Sequence, residues 1–253
     1  MDVATAKPTP EERRRVPHHM LDVADPTERY DAARYQREAR AVLADLERRR
    51  VRAIVVGGTG LYVRALLDGL DLGAVPRDPA VRAQLEREAE SLGADALHAR
   101  LAALDPAAAA SVDARNVRRV IRYLEVATLA GGVSAFWSRG PAIPATKIGL
   151  RPPRDVLAAR IEGRVRDMVA RGVLEETARL LASGVELTLP SMSGHGYPHW
   201  VRHLRGEIDL ETAIALTVRD TRAYSKRQMT WFRRDEAIRW CDPTVADPLE
   251  DVA

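Results

Sequence analysis

Three stretches of this sequence combine residue types that can do chemistry. The first is G-G-T-G-L-Y, residues 57–62, which follows a short β-branched apolar run. A strand that feeds glycines into a helix start aims free backbone N–H groups, and the positive end of the helix dipole, at whatever lies above the turn. Gly57, Gly58 and Gly60 let a phosphate or a base come close, and Thr59 adds a hydroxyl that can donate or accept. The same pattern also serves as a plain strand-to-helix turn. The second stretch is K-R-Q-M-T-W-F-R, residues 226–233, where cations are mixed with Trp231 and Phe232 as in a surface that grips phosphates and stacks bases. A helical wheel puts both aromatics with Leu210, Ala213, Ile214, Thr217, Thr221 and Tyr224, which predicts core for them. It leaves Arg219, Arg222, Lys226 and Arg233 on the opposite side. The third is R-R-V-I-R, carrying Arg118, Arg119 and Arg122. His195, His199 and His203 are spaced i, i+4, i+8, but Gly196 and Pro198 interrupt any helix that would align them, so no metal site is read there.

Several elements must position these groups. Tyr35, Ala39, Val42, Leu43 and Leu46 recur at helical spacing after Tyr30-Asp31, which reads as a capped helix with a hydrophobic staple. Ala53–Val56 reads as a buried parallel strand entering the glycine turn. From about Leu72 to Gly132 the pattern is helical throughout. Asp78-Pro79 and Asp105-Pro106 are helix starts, while Gly93 and Gly131-Gly132 are stops. Strand character returns at Thr146–Leu150 and at Ile238–Trp240, on either side of helices over 154–183 and about 209–233. This alternation predicts an α/β fold with a helical insertion: residues 1–72 and 144–253 as the core, 73–143 as the insertion.

Composition narrows the class. Hydrophobic residues at 46% and charged residues at 30% of 253 describe a globular chain, not a disordered one. No apolar run approaches a membrane span, and the start lacks the apolar core of a secretion signal, which makes the cytoplasm the expected compartment. One cysteine, Cys241, excludes an internal disulfide. The net charge is only +3, yet residues 219–234 hold six cations against Asp220. That local excess suits a polyanionic partner, although a solvated helix face has the same signature.

Taken in order, the strings M-D-V-A-T-A-K-P, V-P-H-H-M-L-D-V-A-D-P, V-V-G-G-T-G-L-Y, R-R-V-I-R-Y-L-E-V, R-I-E-G-R-V-R-D-M, L-P-S-M-S-G-H-G-Y and S-K-R-Q-M-T-W-F-R-R resemble the tRNA dimethylallyltransferase family, the isopentenyl-tRNA transferases. The resemblance spans nearly the whole chain. It implies a P-loop-type parallel sheet core whose helical insertion grips the anticodon stem-loop of a tRNA. The implied reaction moves a dimethylallyl group from dimethylallyl diphosphate to the exocyclic nitrogen of the adenine 3′ of the anticodon, with a base turned out of its stack to be reached. By this likeness Thr59 lies at the reaction channel, and Arg164 with the Gly57–Gly60 turn holds pyrophosphate. The same likeness implies that Mg²⁺ would bridge the pyrophosphate oxygens. Arg82, Arg118, Arg119, Arg122, Arg219, Arg222, Lys226, Arg227, Gln228 and Arg233 face the RNA. A monomer is expected.

The family's opening G-P-T-x-[ST]-G-K-[ST] loop and its D-S-x-Q-V-Y segment do not occur in these 253 residues. The resemblance assigns the donor's phosphate cradle and the general base to them. The expectation is therefore a gene whose product starts upstream of Met1, the chain by itself being inactive. Two other readings stay open: an RNA-binding chain without catalysis, and a small-molecule kinase relative using the glycine turn for nucleotide phosphates.

Overall fold

In a computed structural model, residues 1–253 are described except 71, 73–74, 134–141, 195, 249 and 251–253. Contacts divide the chain into two compact units, one of Met1–Asp31, Ala41–Gly60 and Ala145–Ala253, the other of Ala32–Arg40 and Leu61–Pro144. Residues 32–40 and 61–72 are thus grouped with the helical stretch that follows them.

The second unit is helical among its described residues. The Asp78 carboxylate accepts from the Ala80 and Val81 amides at 2.7 and 3.3 Å and starts α4, Pro79–Leu92. Gly93, at φ 84°, takes the left-handed turn that separates it from α5, Ala94–Leu104. Asp105 caps the short α6, Pro106–Ala110, and its other oxygen accepts from the Val133 amide at 2.8 Å. Asn116 caps α7, Val117–Ala130, which ends at left-handed Gly131. Leu85, Leu97, Leu101 and Leu124 are fully buried where α4, α5 and α7 meet. Each stabilises the unit by roughly 2 kcal/mol relative to exposure.

Two polar ties complete this unit. Gln36, on the portion of α2 (Ala32–Arg48) that belongs here, is buried and donates to the carbonyls of Ala65 and Leu70. Tyr35 beside it stacks on Tyr62 of α3 (Gly60–Leu67), with ring centres 4.7 Å apart. The other tie is Glu125, buried within α7. It accepts from Arg122 at 2.6 Å, from Arg82, and from the Asp78 amide at 3.1 Å. Arg122 also donates to the Pro76 carbonyl at 2.9 Å. Burial pushes the Glu125 carboxyl up, but the two guanidiniums and the amide outweigh it, and the group lies below the usual carboxylate range.

The first unit holds the sheet. β1, Lys147–Leu150, pairs in parallel with β2, Ile238–Cys241, in the register Lys147↔Ile238 to Leu150↔Cys241. Between them run α8 (Arg154–Ala170), α9 (Val173–Ala182), a 3-10 turn at Pro190–Ser193, α10 (Tyr197–Leu204) and α11 (Leu210–Phe232). Their core joins Ile161, Val165, Val173, Met192, Trp200 and Ala213 with Ala4 from the start of the chain. The first residues are moored by Glu176, a buried carboxylate on α9. It accepts from the amides of Asp2, Val3 and Ala4 and from the Tyr197 hydroxyl at 2.8 Å. Burial raises the Tyr197 hydroxyl and Glu176 raises it further, so the phenol stays protonated as a donor. A short α1, Pro10–Arg15, follows with a Thr9–Glu12 capping box. No helix among the described residues is long and apolar enough to cross a membrane.

One expected element does not form. Residues 51–59 have no regular secondary structure, and Ile54 and Val56 are 69% and 89% exposed. The expected strand at Ala53–Val56 is therefore corrected to an open segment. A parallel strand needs neighbours for its N–H and C=O groups. The two strands among the described residues pair with each other instead. The fold is helix-rich α/β with a small parallel sheet.

Candidate active site

The path to the glycine turn starts at the end of α2. Arg50 takes a left-handed φ of 55°, its amide donates to Glu47, and the Val51 amide donates to Leu46 at 2.9 Å. These are the paired bonds of a Schellman ending. The chain then runs irregularly through 51–59, and Gly60 opens α3.

Helix α11 holds the turn through three side chains at i, i+4 and i+7. The Tyr224 hydroxyl lies 3.2 Å from Thr59 Oγ1. The Gln228 amide donates to the Gly58 carbonyl at 3.0 Å. Trp231 packs against Gly60 so closely that a Cβ there would lie 2.2 Å from indole atoms. A Cβ on Gly58 would lie 2.0 Å from the Gln228 amide nitrogen. None of the turn's three glycines has positive φ. Two of them are therefore required by the approach of α11, whereas Gly57 has nothing within 4 Å. Gly57 is the open side of the turn.

This arrangement makes a prediction. Gly58→Ala displaces the Gln228 amide and costs at least the ~1 kcal/mol of its hydrogen bond, while Gly57→Ala, which meets no atom within 4 Å, raises stability by roughly 0.4–1 kcal/mol through the entropy of the unfolded chain. Urea denaturation of the two variants checks it, and equal stabilities would contradict it.

The wheel's assignment of Trp231 to the core needs correction, as does that of Tyr224. They are 43% and 41% exposed, because their other faces look outward from the turn. The Arg227 guanidinium sits over the Tyr224 ring, 5.5 Å from its centre. Gln228, read from the sequence as an RNA contact, gives its amide to Gly58. Spacing at i, i+4, i+7 was the available signal for the three, but nothing local shows that the glycine turn is their partner.

The basic residues are dispersed. On α8 and α11, Glu162, Arg166, Glu211, Arg219, Arg222 and Lys226 line an open groove of about 500 Å³. Arg166 pairs with Glu211 at 3.2 Å, Arg222 reaches Glu162 at 3.7 Å, and Arg219 pairs with Asp220 at 2.9 Å. Arg164 is exposed on α8, and Lys226 and Arg233 on or just after α11; none of the three side chains makes a hydrogen bond or ion pair among the described residues. In the helical unit, Arg118 is exposed and Arg119 donates to the Tyr123 hydroxyl at 2.7 Å. Arg82 and Arg122 are both committed to Glu125. His199 pairs with Asp220 at 2.8 Å and His203 with the Ile208 carbonyl at 3.1 Å, while His195 lies outside the described residues.

The sequence profile of the IPP transferases matches residues 1–235. The chain belongs to the IPP transferase family. Among its relatives is the tRNA dimethylallyltransferase of Syntrophobacter fumaroxidans, 46% identical over 247 residues that cover 96% of this chain and 72% of the relative. Among solved structures it is similar to the full-length tRNA isopentenylpyrophosphate transferase of Bacillus halodurans. That match has a TM-score of 0.66 and 39% identity, covering 96% of this chain and 77% of the other. A eukaryotic dimethylallyltransferase acting on tRNA matches with a TM-score of 0.77 at 25% identity, covering 99% of this chain and 66% of that one. In this IPP transferase the glycine-threonine turn lies against α11, with a hydroxyl and an open glycine at its exposed edge.

Proposed function

We propose that this protein transfers a dimethylallyl group from dimethylallyl diphosphate to N6 of the adenine 3′-adjacent to the anticodon of a tRNA. The N6 lone pair attacks the first carbon of the prenyl chain, the bond from that carbon to the diphosphate oxygen breaks, and N6 loses a proton. Pyrophosphate leaves. The observation that carries this reading is the Thr59 hydroxyl, exposed beside open Gly57 on a turn fixed by the arginine-bearing helix α11. Relatives at this level of identity bear the name of that reaction.

In this reading Thr59 contacts the reacting amine or the departing diphosphate. Gly57 lets that ligand approach the backbone, and Arg164 offers pyrophosphate a guanidinium with no competing partner among the described residues. Mg²⁺ belongs to the substrate. Among the described residues no three His, Cys, Asp or Glu side chains converge, and the ion is assigned to the pyrophosphate oxygens. Magnesium is commonly held by one or two carboxylates together with substrate phosphates and water. The core is assigned to the P-loop-type class and the helical stretch 73–143 to gripping the anticodon stem-loop. Arg118, Arg119, Arg219, Arg222, Lys226, Arg227 and Arg233 are the RNA-facing cations. Arg82 and Arg122 act with them as the rigid base that Glu125 organises. We place the protein in the cytoplasm, as a monomer.

Filter binding of tRNA against salt tests the RNA half. Arg118→Ala and Arg222→Ala each weaken binding and lower the slope of log K against log salt by roughly one, the release expected from one lost phosphate contact. An unchanged slope in both variants means that these arginines are solvated surface. Binding of free nucleotide in preference to tRNA would favour the small-molecule kinase reading.

A further inference from the structure

Thr59 sits on a segment without regular secondary structure, and its hydroxyl is exposed. A hydroxyl there can turn among staggered positions, with one hydrogen to donate and two lone pairs to accept. Useful contact with a reacting group needs one of those orientations, held before the substrate arrives. The partner in reach is the Tyr224 hydroxyl at 3.2 Å, from a residue 165 positions away. Tyr224 is itself restrained by the Arg227 guanidinium over its ring. Its helical neighbours Gln228 and Trp231 pin the turn on both sides of Thr59 through Gly58 and Gly60. The turn's backbone is thus fixed by two contacts, and the third is left for the hydroxyl alone.

We infer that Tyr224 is a positioning residue that orients Thr59 for the transfer, an inference that rests on the proposed function. The phenol is more acidic than the alcohol and is the better donor of the two. Donation from Tyr224 to Thr59 Oγ1 leaves the Thr59 hydrogen free to point outward. It also strengthens that hydrogen as a donor, because linked hydrogen bonds polarise one another. The acceptor it suits is an oxygen gaining negative charge, such as the diphosphate oxygen as the carbon–oxygen bond breaks. Tyr224 touches no substrate in this scheme and acts only through Thr59.

Steady-state kinetics of the full gene product, with Tyr224→Phe, Thr59→Val and the double variant, tests this. Phenylalanine keeps the ring under Arg227 and removes only the hydroxyl. Turnover falls about tenfold, the scale of one well-placed hydrogen bond, with KM for tRNA and for dimethylallyl diphosphate unchanged. In the Thr59→Val background the same change has no further effect, while Thr59→Ser keeps the dependence on Tyr224. Parental turnover in Tyr224→Phe, a change in KM alone, or an equal loss in the Thr59→Val background overturns the inference and leaves the proposed function standing. A parent protein that binds tRNA and transfers nothing overturns the proposed function itself. The pairing is also read without substrate from the carbon-13 resonance of the Tyr224 phenol, assigned by its disappearance in Tyr224→Phe. Thr59→Val shifts it if the two hydroxyls are bonded, and an unmoved resonance overturns the pairing.

Discussion

Thr59→Val lowers turnover of the full gene product about a hundredfold or more, the usual effect of deleting one preorganised donor at a reacting group, and leaves tRNA affinity within about twofold. Valine keeps the shape of the side chain and removes its hydroxyl, so the turn loses one bond to Tyr224 and no packing. The backbone remains pinned by Gln228 and Trp231, so folding is preserved. An interaction made only as the carbon–oxygen bond breaks lowers kcat and kcat/KM together, whereas one made equally with the bound substrate appears in KM. Single-turnover rates and equilibrium tRNA binding separate the two. Equal losses in rate and affinity would assign Thr59 to binding alone.

Glu125→Ala has the largest expected effect on stability. It removes the carboxylate that neutralises Arg82 and Arg122 at a position fully shielded from water, and it strips the Asp78 amide of its partner. Breaking one side of an ion cluster costs about 3–5 kcal/mol when the charges left behind are buried; here the Arg82 and Arg122 side chains stay 26% and 22% exposed and Arg122 keeps the Pro76 carbonyl, so a loss of about 2–3 kcal/mol is expected. Hydrogen exchange across residues 79–130 should rise in the variant while exchange in α8 to α11 does not. The pH dependence has a definite sign. The folded carboxyl titrates below its ordinary value of 4.5, so the unfolded chain binds the proton first as pH falls. The cluster's contribution is complete above about pH 4.5 and is lost as pH drops through the folded value. Urea midpoints of the parent therefore fall on acidification more steeply than those of Glu125→Gln. Parallel curves, or a variant as stable as the parent, would show that the cluster is solvated and weak.

The helices from Pro79 to Ala130 were legible because their ends are local signals. Asp78-Pro79, Gly93, Asp105-Pro106 and Gly131 each act within a few residues, and each does in the structure what its side chain or lack of one dictates. The strands at Lys147–Leu150 and Ile238–Cys241 were legible as runs of strand-forming residues. Ala53–Val56 has the same character and forms none, because a strand is a property of two segments and the run names only one. The site failed to show for a related reason. Thr59 and Gln228 were both singled out, but their link through α11 spans about 165 residues and leaves no periodic trace. Glu125 stands three residues after Arg122 and could have been suspected as its partner. Arg82, 43 residues earlier, could not. Arg82 and Arg122, whose type and charge suggest RNA contacts, are also bound to Glu125 within the fold.

The proposed transfer is a single chemical event at the exposed hydroxyl beside Gly57. The full gene product should be incubated with unmodified tRNA, dimethylallyl diphosphate and Mg²⁺, and the tRNA digested to nucleosides for mass spectrometry. One dimethylallyl group per tRNA is expected, on the adenosine next to the anticodon, with pyrophosphate released in equal amount. A protein that binds the tRNA tightly and leaves every adenosine unmodified would contradict the proposed transfer.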